Sequence, residues 1–195
     1  MADTFQNQIV TFLPALKAFA VMLTRNRVSA DDLVNDTVLR ALRKRDLYAD
    51  GTNLKAWLFT IMRNIHINNL RAGQRRRLVE INDDLLPNLA SVAPGQEDVL
   101  VLKELFRAFD GLNENQREVL MLVVGQDLSY EETAKICGCP IGTVRSRLAR
   151  GRRELGRMLE GEVPLPAAND PALPTRSLSA RARPVRFSSD MQAAG

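Results

Sequence analysis

Six arginines and a single acid, Glu154, lie between Arg145 and Arg157. Most of these guanidinium groups have no carboxylate to pair with inside the segment, and cations left in excess suit a polyanion. Their spacing gives the segment two faces. Ile141, Val144 and Leu148 recur at helical intervals on one side, with Arg145, Ser146, Arg147, Arg150, Arg152 and Arg153 around the rest. Such a helix docks by its apolar stripe and presents hydrogen-bond donors outward. The residues before it complete a motif. Ser129 and Glu132 form a capping box that opens a helix over Tyr130 to Ile136. Gly138 suits the left-handed conformation that ends it, and Pro140 suits the first turn of the next helix. Helix, glycine turn and basic helix make a helix-turn-helix, whose second helix enters the DNA major groove. The plainer reading is a solvated charged face, and the arginine excess argues against it.

A second cationic stretch, Arg63 to Arg77, holds five arginines and no acid. It follows a small polar loop, Asp50 to Asn53, and a helix carrying Trp57, Asn64, Asn68 and Asn69. Asn and Arg side chains hydrogen-bond base edges, and an apolar pocket holds an unstacked base. On residues alone, Asn53, Arg63 and Asn64 serve DNA contact or ordinary helix surface equally well, and Trp57 reads as core. Between the basic patches, Glu80 to Asp110 holds seven acids against Lys103 and Arg107. That distribution predicts two nucleic-acid contacts and a joint that makes none. Other chemistry is poorly supplied. The chain has two cysteines, Cys137 and Cys139, and one histidine, His66. A structural zinc site needs four ligands, so the cysteines read as a buried reduced pair and His66 as a partly exposed helix residue. No Ser-His-Asp set, phosphate-cradling glycine loop or carboxylate pair stands out. Neither an enzyme nor a metal or cofactor site is expected.

These groups need elements to position them. In the 195 residues, 45% are hydrophobic but only 5% aromatic, and the net charge is +4. Glycine and proline cluster, which favours helices with defined breaks. The spacing predicts a helix over Thr4–Thr24, kinked or divided by Pro14. A second is expected from Ser29, capped with Asp32, with Leu33, Val34, Thr37, Val38, Ala41 and Leu42 as its buried stripe. Asn53 caps a third, running to about Gly73. After residues 78–96, acidic with Pro87 and Pro94, a stripe of Val99, Leu102, Leu105, Phe106 and Phe109 starts a fourth. Asn113 and Gln116 cap a fifth. From Gly161 the periodicity is lost among prolines, serines and arginines, as in a disordered tail. The N-terminus MADTFQNQ, polar and without a basic stretch, is not expected to act as a secretory leader, and no run is expected to cross a bilayer. A cytoplasmic, all-α protein without membrane contact follows.

The two halves together resemble the extracytoplasmic-function (ECF) sigma factors of bacterial transcription initiation. The matching stretches are DDLVNDTVLRAL at Asp31–Leu42, GTNLKAWLFTIMRNIHINNLR at Gly51–Arg71, LNENQREVLML at Leu112–Leu122, and SYEETAKICGCPIGTVRSRLARGRREL ending at Leu155. ICGCPIGTVRSR and GTNLKAWLFTIMRN are most similar to the general-stress-response branch, which works under an anti-sigma factor. The resemblance implies two small helical domains, sigma region 2 over 1–77 and sigma region 4 over 97–160, joined by a flexible linker over 78–96 and followed by a tail over 161–195. It implies docking of Asp32, Leu33, Asn35, Asp36 and Arg40 on the clamp of the polymerase beta-prime subunit, with the beta flap as a further polymerase contact. Asp50, Gly51, Thr52, Asn53, Lys55, Arg63, Asn64 and Arg71 would capture a flipped minus-ten base and help to melt the duplex. Thr143, Arg145, Ser146, Arg147, Ala149, Arg150 and Arg153 would read the minus-thirty-five element. Asn69 departs from the family pattern, which has Asp there before Leu-Arg. Two other readings stay open on sequence: a sigma-like mimic that sequesters an anti-sigma factor, and a stand-alone helix-turn-helix regulator.

Overall fold

The computed structural model describes residues 2–76 and 96–162. Among these residues the fold is helical: α1 (Ala2–Thr24), α2 (Arg27–Arg43), α3 (Leu54–Arg76), α4 (Gln96–Gly111), α5 (Glu114–Leu120), α6 (Tyr130–Cys137) and α7 (Ile141–Leu159). A short 3-10 turn, Arg45–Leu47, follows α2, and a π-helical turn, Met121–Gly125, extends α5. The acidic joint and the tail expected from sequence lie outside the described residues.

The helix starts follow local chemistry, with two corrections. Pro14 does not divide α1. It is exposed, so the carbonyl of Val10 that loses its partner is on a solvated face where water can replace the bond. Nor does Ser29 open α2. The chain turns at Arg25, which has a φ of 53°, and Asn26 becomes the cap, its side chain accepting from Ser29 N at 2.9 Å. Asn53 caps α3 through Ala56 N at 3.1 Å. Asn113 and Gln116 form the box expected at α5, and Ser129 and Glu132 the one at α6. Gly138 ends α6 in the left-handed region, with φ 61° and ψ 40°, and Pro140 stands at the cap of α7 rather than inside its first turn.

Helices α1, α2 and α3 pack into one bundle, and α5, α6 and α7 into another to which α4 adds. Phe5, Tyr48 and Trp57 meet ring to ring in the first, and Phe19 meets Phe59 edge-on at 4.9 Å. Contrary to expectation, Phe5–Thr24 is long and apolar enough to cross a bilayer. In this fold its Leu16, Phe19 and Ala20 are wholly buried against the other helices. The expected stripe on α4 is also only partly realised, since Leu105 and Phe106 are exposed.

The bundles are not splayed apart. Helix α3 packs along α6, and a continuous hydrophobic core runs from Leu16 and Leu58 to Leu122, Ile136 and Val144. That closure decides which polar groups reach solvent.

Candidate nucleic-acid interface

Helix α7 presents the arginine face that its spacing predicts. Val144, Leu148 and Gly151 are buried against α5, while Arg145, Ser146, Ala149, Arg150, Arg152 and Arg153 are exposed. Thr143 and Arg147 are half-buried. Gly151 is needed for this approach: a Cβ there would stand 2.8 Å from Leu120 Cδ1 and 3.2 Å from Gln116 Cβ. Arg157 spends its charge on Glu154 at 3.5 Å and Glu162 at 3.3 Å. Among the described residues no carboxylate pairs with Arg145, Arg150, Arg152 or Arg153. Arg150 is held along the helix by the carbonyl and hydroxyl of Ser146, both at 3.2 Å, and Arg145 lies 5.9 Å from the Tyr130 ring centre. A cationic strip with its counter-charges withheld is electrostatically matched to a phosphate backbone.

The loop before α3 is built by its own hydrogen bonds. Tyr48 Oη donates to Thr52 O at 2.6 Å, Thr52 Oγ1 to Ala49 O at 2.7 Å, and Arg45 pairs with Asp50 at 2.6 Å. Gly51, at φ 87°, makes the reversal. Asp50, Gly51 and Asn53 are exposed at its rim, and Thr52 and Lys55 are half-buried.

Three groups from this region are held by the other bundle. Asn53 Nδ2 donates to Glu132 Oε1 at 2.6 Å, Lys55 Nζ to the carbonyl of Gln126 at 2.6 Å, and Arg63 Nε to Glu118 Oε1 at 2.6 Å. Arg25 adds a donor to the carbonyl of Asp110 at 3.2 Å. The same Glu132 carboxylate accepts from Ser129 N, so it both caps α6 and binds the loop. Burial works against its charge, but the Ser129 and Asn53 donors prevail and hold it below the usual carboxylate range.

Arg63 needs the firmest correction. Its side chain is 3% exposed and that of Glu118 0%, so in this conformation it is an internal ion pair and not a DNA contact. Burial disfavours its charge, yet the charge and hydrogen bond of Glu118 more than offset this and raise its pKa. Arg63 Nη1 and Glu118 Oε2 find no further partner among the described residues. His66 is likewise buried, not partly exposed. Burial pushes its pKa down to about 4, with Glu118 pulling the other way and Arg63 adding to the fall. Asn64 and Arg71 are half-buried on α3.

Leu33, expected on a docking surface, is 3% exposed and belongs to the core. Asp32, Asn35, Asp36 and Arg40 do share an exposed face of α2. Leu39, at 51% exposure, stands among them. Sequence reasoning missed Leu39, and it missed Glu118 and Glu132 as the acceptors that close the two bundles. Glu118 was detectable as the acid that directly precedes the apolar run Val119–Val124. Among the described residues no cluster of His, Cys, Asp or Glu is arranged to hold a metal.

Comparison with known proteins agrees with this architecture. The profile of Sigma-70 region 2 matches residues 9–76 and that of Sigma-70 region 4 matches residues 102–155. The ECF RNA polymerase sigma factor EcfG of Rhodopseudomonas palustris is 43% identical over 159 residues, covering 82% of this chain and 87% of that protein. The RNA polymerase sigma factor CarQ of Myxococcus xanthus is 30% identical over 166 residues, covering 85% and 94%. The sigma factor RpoE of Bartonella quintana, solved in complex with the anti-sigma factor NepR, superposes with a TM-score of 0.69 at 35% identity, covering 82% of this chain and 99% of that one. With both sigma regions in order on one helical chain, and relatives matched over most of their length, the chain belongs to the ECF sigma factors.

Proposed function

We propose that this sigma factor grips core polymerase through α2 and promoter DNA at two points, and that the closed arrangement is its resting form under an anti-sigma factor in the cytoplasm. The exposed face of Asp32, Asn35, Asp36, Leu39 and Arg40 is the polymerase-docking surface. Thr143, Arg145, Ser146, Arg147, Ala149, Arg150 and Arg153 read the minus-thirty-five element. Asp50, Gly51, Thr52, Asn53 and Lys55, with Asn64 and Arg71 along α3, take the minus-ten strand. Arg63 joins them only when the bundles part. Base capture costs a few kcal/mol of unstacking, and a loop whose donors are already bound to region 4 is poorly placed to repay it. Polymerase, by holding the two regions apart, releases those donors and lets two weak contacts act together. The stress-response assignment follows from the ICGCPIGTVRSR and GTNLKAWLFTIMRN stretches, and the complex of the similar RpoE with NepR supports anti-sigma control.

The carrying observation is the exposed Arg145, Arg150, Arg152 and Arg153 of α7, which have no carboxylate partner among the described residues. The test is transcription in vitro with core polymerase and promoter templates. Promoter-specific initiation only when this chain is added is the expected result. Absence of initiation, with anti-sigma binding retained, would make the chain a sequestering mimic instead.

A further inference from the structure

The turn between α6 and α7 holds chemistry that promoter binding does not use. Cys137 is the last residue of α6, and Gly138 folds the backbone back so that Cys139 N bonds to Ala134 O at 3.1 Å. Only Gly138 separates the two cysteines, and its left-handed backbone sets them on either side of one reversal. Cys137 is buried and Cys139 half-buried, both in the free form. Arg147, from the first turns of α7, places Nη1 3.8 Å from Cys139 Sγ. A cation, a donating neighbour thiol and partial access to solvent are what turns a cysteine from packing material into a nucleophile.

We propose that Cys137 and Cys139 form an oxidant-reactive dithiol site, in which Cys139 attacks a hydroperoxide and Cys137 resolves the product to a disulfide. The Cys139 thiolate attacks the outer oxygen of the hydroperoxide. The S–O bond forms, the O–O bond breaks, and the departing alkoxide takes the proton of Cys137 to leave as an alcohol. Cys139 is then a sulfenic acid and Cys137 a thiolate. Cys137 attacks the Cys139 sulfur, the S–S bond forms, and hydroxide leaves and is protonated to water. Two thiols have lost two electrons to the peroxide bond, and a reductant of the dithiol class reverses the change. With one residue between the cysteines, closure forms a small ring within the turn itself. A ring with one residue between the cysteines is strained, which makes the bond readily reduced. Closing it also takes from Arg147 the thiolate beside it.

The charges facing the pair assign the roles. Cys139 is lowered to about 7, first by the Cys137 hydrogen bond, with burial opposing and Arg147 assisting; Glu118 on α5 raises it and Arg63 on α3 lowers it. Cys137 is pushed up by donating that bond, by burial and by Glu118, so it waits as the protonated partner. A thiol lowered in this way carries more thiolate at neutral pH than an ordinary one, an advantage that its lower intrinsic nucleophilicity reduces but does not cancel.

The full-length reduced chain is treated with hydrogen peroxide, then mapped by peptide mass spectrometry. The expected product is an intramolecular Cys137–Cys139 disulfide, seen as loss of two hydrogens and reversed by dithiothreitol. In Cys137→Ser the product is a trappable sulfenic acid on Cys139, and Cys139→Ser resists oxidation. The pH profile of alkylation should place the Cys139 midpoint near 7, and Arg147→Gln should move it upward. Two reduced cysteines after excess peroxide, or an alkylation midpoint in the ordinary thiol range and unmoved by Arg147→Gln, would overturn the proposal. The mapping is done on the unsubstituted chain, so it holds even if Cys137→Ser does not fold.

Discussion

The Arg63–Glu118 pair gives the sharpest test of how the two regions are held together. Both side chains are out of solvent, 2.6 Å apart, and each leaves a polar atom without a further partner. Desolvating two charges costs several kcal/mol per ion, and an incompletely satisfied pair recovers that cost badly. Removing one partner is worse, because the other charge stays buried: the expected penalty is about 3–5 kcal/mol. Glu118→Gln puts that penalty on Arg63. The relief open to it is to separate α3 from α6, which returns Arg63 to water and exposes the apolar surface the bundles share there. Small-angle scattering of the free chain should therefore show a larger radius of gyration in Glu118→Gln. Binding to single-stranded minus-ten DNA without polymerase should strengthen, since Asn53 and Lys55 are released together with Arg63. The double variant Arg63→Met with Glu118→Leu should move the other way. Apolar replacement of a buried pair is often stabilising by about 1–4 kcal/mol, so that chain should stay compact and resist opening. A lower melting temperature in Glu118→Gln with an unchanged scattering profile would refute the reasoning, and so would a double variant that opens.

Three further outcomes are expected. Burial holds His66 near 4 against 6.5 for a free imidazole, so the unfolded chain takes up the proton first as pH falls. Stability should be full above about pH 6.5 and decline toward pH 4 by about 3 kcal/mol, and His66→Gln should flatten that slope in denaturant titrations at stepped pH. Gly151→Ala places a Cβ 2.8 Å from Leu120 Cδ1 and 3.2 Å from Gln116 Cβ; it should cost about 1–3 kcal/mol, read as a lower melting temperature. Arg150→Ala should weaken minus-thirty-five-dependent transcription by about tenfold, from a lost contact worth about 1–3 kcal/mol. Core polymerase binding, measured by co-elution, should not change.

What the sequence made legible was local. The caps at Asn53, Asn113 and Ser129, and the left-handed Gly138, are each decided by a few neighbouring residues, and all stand where expected. The arginine face of α7 was legible for the same reason, because an apolar stripe leaves only one side for the charges. Errors arose where two solutions competed over a few residues, or where distant segments had to meet. Asn26 and Ser29 are both good caps, and the reversal at Arg25 brings Asn26 to the helix start first. Leu33 carried two expectations, burial from the periodicity of α2 and docking from the family resemblance, and the packing of α2 on α1 and α3 decides for the first. Arg63 sits among Asn64, His66, Asn68 and Asn69 and reads as surface. Its partner is 55 residues away, and no periodicity within α3 reveals which helix will cover it.

That long-range contact changes how the two proposed DNA-facing surfaces are related. The α7 face is open in the closed chain, while the proposed minus-ten loop is engaged. The contacts that engage it differ in kind. Asn53–Glu132 and Lys55–Gln126 join partly exposed groups, and water replaces such bonds at a net cost of about 1 kcal/mol each. Glu132 keeps Ser129 N when Asn53 leaves, so α6 does not lose its cap on opening. The buried pair repays its desolvation incompletely, and the apolar surface between α3 and α6 supplies the remainder. Closure therefore rests on the shared apolar surface more than on its polar contacts, and a large partner opens the chain only by covering comparable surface. On the proposed roles, a minus-thirty-five reader exposed from the start, beside a minus-ten loop that must be released, would make polymerase docking the step that commits the chain to melting DNA.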